Sequence, residues 1–259
     1  MTASRPADPP TGPDPDGGAD WQRRVVGRSL DGARQRSIDR STRFIRAAAK
    51  VLDRTQGETL TVQEVADEAG QSLRTLYQYF ASKDDLLLAV HEEATRTFAR
   101  MIRATIADLA DPRSRLAGAI IASGRLPAMH KSGVDRGLSA LRLQLTQADP
   151  ALVARSQEPV TGLFRELIED LAASDDSITV PAEKATYLVS AVRTSFALSI
   201  TLGNDYGVEL PDVIELAAFC LHGLGVPATR EWLESIDQAL QLSGDDTRSI
   251  LRRLIKQTN

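Results

Sequence analysis

Beyond its first twenty residues the chain repeats apolar side chains at three- and four-residue intervals almost without interruption, and no segment sustains the alternation that a half-buried strand requires. That period predicts an all-α fold. Ile38, Phe44, Ile45, Ala48, Val51 and Leu52 mark a helix that closes near Gly57, and Val62, Val65, Ala66 and Ala69 a short one closed by Gly70. Leu73, Leu76, Tyr77 and Phe80 mark a second short helix. A long one follows from Asp84 to about Leu109, with Leu87, Val90, Ala94, Phe98 and Met101 on one stripe. Further helices are expected over 114–129, 134–147, 150–173 with a kink at Pro159, 181–202, 210–224, 228–242 and 246–256.

Composition narrows what such a bundle can do. With 31 Lys+Arg against 35 Asp+Glu the chain has no general polyanion-binding coat, so any nucleic-acid surface must be local. Residues 21–54 supply one, with ten basic residues against three acidic ones. Residues 1–20, rich in Pro and Gly with nothing large to bury, read as a disordered tail. The single Cys220 cannot form an internal disulfide, and its apolar neighbours make it a buried hydrophobe. His91, His130 and His222 lie too far apart for a metal-ligand pattern. No apolar run reaches the roughly 18 residues of a membrane span, and the first twenty residues hold no secretory apolar region. The expectation is a cytoplasmic protein without metal or cofactor. No catalytic triad, carboxylate pair or glycine-rich phosphate loop is recognisable, so the chain is not expected to be an enzyme.

Three capping patterns fall close together. Thr61 with Glu64 forms a capping box ahead of an apolar run, Ser72 follows Gly70 and Gln71, and Ser82 precedes Lys83, Asp84 and Asp85. A helix of two turns, a glycine-containing link and a second short helix give the outline of a helix-turn-helix. Leu76 and Phe80, four apart, would face Val65, Ala66 and the first helix. Leu73, Arg74, Gln78 and Tyr79 are then left pointing outward, flanked by Thr75 and Tyr77. Guanidinium, amide and phenol groups suit base edges and phosphates.

The string from Ala69 to Phe80, followed by Ser82 and Lys83, resembles the DNA-binding signature of the TetR family of bacterial transcriptional regulators. The resemblance covers about fifty residues. It implies that Gln63, Leu73, Arg74, Gln78 and Tyr79 lie near base edges of a double-stranded operator, and that Thr61, Thr75, Tyr77 and Lys83 hold phosphates. Gln71 stands where the family usually has an apolar residue, and Arg74 where it often has glycine. The basic run from Arg23 to Arg46 exceeds the family's usual lead-in, and reads as an arm along the DNA backbone or into a minor groove.

The resemblance also implies an all-helical ligand-binding and dimerisation domain after the helix-turn-helix. The division expected is a tail over 1–20, a DNA-binding domain over 21–88, a ligand-binding and dimerisation domain over 89–227, and a helical extension over 228–259. Helices over 181–202 and 210–224 carry apolar residues on more than one face and are the expected homodimer surface. A hydrophobic small-molecule effector would be lined by Ile121, Met129, Leu138, Leu141, Phe164 and Leu167, with Arg125, Gln144, Tyr187 and Thr194 as polar anchors. The function expected is that of a repressor released from its operator by such an effector. A helix-turn-helix protein whose large domain binds a protein partner or only dimerises is the main rival, and a helical enzyme the remoter one.

Overall fold

The computed structural model describes residues 20–55, 60–129, 150–174, 180–203 and 209–240, with single positions 137, 139, 178 and 207. All regular structure among these residues is α-helical: α1 (Asp20–Arg54), α2 (Val62–Glu68), α3 (Leu73–Tyr77), α4 (Lys83–Thr105), α5 (Pro112–Met129), α6 (Pro150–Ser174), α7 (Ala182–Leu202), α8 (Val213–Gly223) and α9 (Arg230–Ala239). Pro159 lies inside α6 as expected. The tail over 1–19, the close near Gly57 and the helices expected over 134–147 and 246–256 lie outside the described residues.

Two of the boundaries that differ from the sequence reading bear on the site. First, α1 starts at Asp20, well ahead of Ile38. From Ser29 to Ser37 no residue is buried, and this segment extends a helix already nucleated downstream, so each residue adds a hydrogen bond without a nucleation cost. Second, α3 ends at Tyr77 and not at Phe80. Its last turn is tightened by three-residue bonds from Gln78 N–H to the Thr75 carbonyl (3.1 Å) and from Tyr79 N–H to the Leu76 carbonyl (3.0 Å).

The chain divides into two units, residues 1–43 and 44–259. Over its described residues the first is the leading part of α1. Leu30 and Ile38 are exposed there, and Gln35 Nε2 donates to Asp39 Oδ1 at 2.9 Å.

The second unit holds two apolar cores. The smaller joins Phe44, Ala48, Val51 and Leu52 of α1 to Val65 and Ala66 of α2, Leu76 and Phe80 around α3, and Leu86, Leu87 and Val90 of α4. Phe44 meets Phe80 edge-on, with ring centroids 6.3 Å apart. The larger core runs from Ala99 to Leu240 and takes in α5 to α9. Between the two, α4 is tied to α6 by polar contacts: Thr95 Oγ1 donates to the Ser156 carbonyl at 2.7 Å, and Gln157 Nε2 lies 3.1 Å from His91 Nε2.

Helix α5 runs through the larger core, and two glycines let its neighbours approach closely. A Cβ on Gly118 would stand 2.7 Å from Leu109 Cδ1 and 3.3 Å from Leu240 Cδ2, and one on Gly124 would stand 2.9 Å from Val213 Cγ1. Helix α9 is held against this helix by Arg125, whose Nε donates to Asp237 Oδ1 at 2.6 Å, and by Arg113, whose guanidinium lies 4.2 Å over the Trp232 ring. With Leu233, Ile236 and Leu240 buried, residues 228–240 belong to the larger core.

Candidate nucleic-acid interface

The turn between α2 and α3 is built by local chemistry. Thr61 caps α2 reciprocally with Glu64: Glu64 N–H donates to Thr61 Oγ1 at 3.2 Å, and Thr61 N–H donates to Glu64 Oε2 at 2.9 Å. The Thr61 hydroxyl also donates to that carboxylate at 2.8 Å. These bonds hold the Glu64 carboxyl below its ordinary range. At the other end of α2, Gly70 adopts φ 61°, so that its N–H reaches the Asp67 carbonyl (3.0 Å) and the Gln71 N–H reaches Ala66 (3.0 Å). This pair of bonds is the Schellman closure that favours glycine. Gln71, the departure from the usual apolar residue, turns its side-chain amide back onto the Gly70 carbonyl at 2.9 Å.

Ser72 then starts α3, accepting from Thr75 N–H at 3.0 Å, with its hydroxyl 2.8 Å from Thr75 Oγ1. Leu76 is fully buried and Phe80 nearly so, which fixes the rotation of the short helix. Arg74, Tyr77 and Gln78 are exposed on its outer side. Leu73 and Tyr79 are half-buried and pack on the smaller core, Tyr79 with its ring 6.1 Å from Phe44. Gln63 is exposed on α2, its amide donating to Asp67 Oδ1 at 2.9 Å. Lys83 is exposed at the first turn of α4, where Ser82 caps Asp85 N–H at 3.1 Å and Asp85 Oδ2 accepts from Ala81 N–H at 2.8 Å. The nine residues singled out for DNA contact thus fall on one short stretch of α2, α3 and the start of α4. Of these, Thr61, Gln63, Arg74, Tyr77, Gln78 and Lys83 are exposed.

Residues 44–90 match the family model described as bacterial regulatory proteins, tetR family. The helix-turn-helix segment is thus similar to that of the TetR family. It is 33% identical over 84 residues to the uncharacterized HTH-type transcriptional regulator Rv1255c of Mycobacterium tuberculosis, a match covering 32% of this chain and 42% of that protein. The chain therefore aligns with less than half the length of that relative. Among solved structures, RolR in complex with the ligand resorcinol has a TM-score of 0.59 at 18% identity, covering 80% of this chain and 96% of that one. FadR from Bacillus subtilis in complex with stearoyl-CoA has a TM-score of 0.52 at 19% identity, covering 73% and 99%. Both are likenesses of fold.

The residues expected to line an effector site are more scattered. Phe164 is fully buried, Thr194 half-buried and Tyr187 72% exposed. Arg125 is engaged with Asp237. Met129 is described only as the last residue of α5, and Leu141 and Gln144 lie outside the described residues. Sequence reasoning missed Arg193, which is only 5% exposed and carries its guanidinium 5.0 Å over the Phe164 ring. Its signal was register: a cation four residues after Val189 and three before Phe196, inside the apolar stripe of α7. Burial pushes the Cys220 thiol up to about 11, partly offset by Arg193, which makes it a packing residue and a poor nucleophile. Among the described residues no group of His, Cys, Asp and Glu could hold a metal ion, and no helix is long and apolar enough to cross a membrane.

Proposed function

We propose that this chain is a sequence-specific DNA-binding transcriptional regulator, a repressor that a small-molecule effector releases from its operator. The observation that carries the reading is the exposure of Arg74, Tyr77 and Gln78 on a helix anchored from behind by buried Leu76 and Phe80. Such a face enters a major groove with its anchor intact. In this reading Gln63, Leu73, Arg74, Gln78 and Tyr79 meet base edges, and Thr61, Thr75, Tyr77 and Lys83 meet phosphates. Thr61 would have to turn its hydroxyl from Glu64 to donate to a phosphate.

The proposed organisation is a DNA-binding domain over 21–88, a ligand-binding and dimerisation domain over 89–227 and an extension over 228–259. Two protomers would pair through α7 and α8, where Tyr187, Leu188 and Phe219 are exposed, and read two half-sites of a near-palindrome. The effector is proposed to be a largely apolar small molecule held in the larger domain. Neighbours of this fold bind resorcinol and stearoyl-CoA, and the buried Phe164 with Arg193 above it offers an aromatic and a cationic contact. A ligand acts by binding one arrangement of the two DNA-reading heads better than the other.

The test is selection of bound duplexes from a random pool, followed by binding measurements on three variants. Arg74→Ala and Gln78→Ala should lose discrimination at particular base pairs, by about 1–3 kcal/mol where a bidentate contact goes. Lys83→Ala should weaken all sequences alike. Equal, sequence-independent losses from all three would overturn the assignment of base readers.

A further inference from the structure

The family match begins at Phe44, whereas α1 begins at Asp20, so residues 20–43 form helix ahead of the matched domain. From Ser29 to Arg43 no residue of α1 is buried. Packing is therefore not what this stretch serves. Arg36, Arg40 and Arg43 stand at i, i+4 and i+7, on one face of the helix, and all three are exposed. None of them forms an ion pair among the described residues. Like charges at these spacings repel and cost an isolated helix a few tenths of a kcal/mol per pair. The same row is favourable against a polyanion, because each neutralised phosphate releases condensed counterions. From Arg36 to Arg43 the helix rises about 10 Å. One DNA strand presents a phosphate about every 3.4 Å of duplex axis, so a stretch of that length offers about three.

We propose that Arg36, Arg40 and Arg43 form a phosphate-binding face, so that α1 adds a sequence-independent contact to duplex DNA. The proposal rests on the reading of the chain as a DNA-binding regulator. It makes the expected arm a helix, and it names the residues that make contact.

The experiment measures affinity of the full chain for a selected duplex and for an unrelated duplex of equal length, from about 0.05 to 0.4 M salt. The comparison is between the wild type, the triple variant Arg36→Ala, Arg40→Ala, Arg43→Ala and the triple variant with Lys at the same positions. Alanine is the stronger helix former, so helix content by circular dichroism should hold and loss of fold is separable from loss of charge. The Ala variant should bind both duplexes at least about tenfold more weakly at 0.1 M salt, with the slope of log affinity against log salt reduced by about 0.9 for each contact removed, hence by about 2.7 per protomer. Its preference for the selected duplex should be unchanged, and the Lys variant should keep the wild-type slope. A wild type that binds the selected duplex while the Ala variant shows the same slope would overturn the α1 contact alone. A wild type with no duplex binding would overturn the reading of α3, and this proposal with it.

Discussion

At the residue scale, Gly70 decides how α2 hands over to α3. Its φ of 61° is costly for a side chain bearing a Cβ, while the space around it is open: a Cβ there would meet nothing within 4 Å. The cost of Gly70→Ala is then conformational and not steric, about 1 kcal/mol, and Gly70→Asn should recover part of it. Chemical denaturation of the full chain, followed by a probe in the smaller core, checks this. A neutral Gly70→Ala would mean that the turn adopts another closure in solution. Gly70 and the caps at Thr61, Ser72 and Ser82 were legible because each requires a particular residue type at a fixed offset. The half-burial of Leu73 and Tyr79 was not, because helix spacing gives a direction and leaves open how far Phe44 reaches out to meet it.

At the scale of elements, close approach and capping shape the larger core. Gly118 on α5 lets Leu109 and Leu240 come so near that a Cβ would stand 2.7 Å and 3.3 Å from them. Gly118→Ala should destabilise the chain by about 1–3 kcal/mol through overpacking, read from a thermal or denaturant midpoint. The start of α8 responds to pH. Asp212 accepts from Glu215 N–H at 2.8 Å, Glu215 returns a bond to Asp212 N–H, and Arg230 reaches Asp212 Oδ2 at 2.9 Å. The Glu215 N–H holds the Asp212 carboxyl below the ordinary aspartate range, slight burial opposes this, and Arg230 reinforces it. A carboxyl with a depressed folded value adds stability that is complete above its unfolded value and is lost as pH falls through the folded one. Melting temperature should therefore fall from pH 5 to pH 3 less steeply for Asp212→Asn, which keeps the cap acceptor but cannot titrate. Equal slopes for the two proteins would remove Asp212 from the acid response.

At the scale of the whole molecule, a protomer that leaves Tyr187, Leu188 and Phe219 exposed carries an apolar face on α7 and α8 with no occupant among the described residues. If a second copy covers it, Leu188→Glu together with Phe219→Glu should yield a folded monomer, because both side chains are exposed in the protomer and contribute little to its core. Sedimentation velocity should show the halved mass, and affinity for a two-half-site duplex should drop toward that of a single head. A double variant that remains dimeric would move the interface elsewhere. The link between effector and DNA would then run through α4, which starts in the smaller core, ends in the larger one and is fastened to α6 by Thr95 and His91.

The sequence alone determined the all-α class and the helix-turn-helix. Both rest on local rules: a 3.6-residue period, and caps and a glycine closure set within a few positions of one another. The tertiary structure decided which of those helices meet and what each exposes. It extended α1 to Asp20, ran the larger core on through α9, buried the cation of Arg193 over the Phe164 ring, and engaged Arg125 with Asp237. Such outcomes depend on partners far along the chain, and a residue's own neighbours in sequence carry no record of what will pack against it.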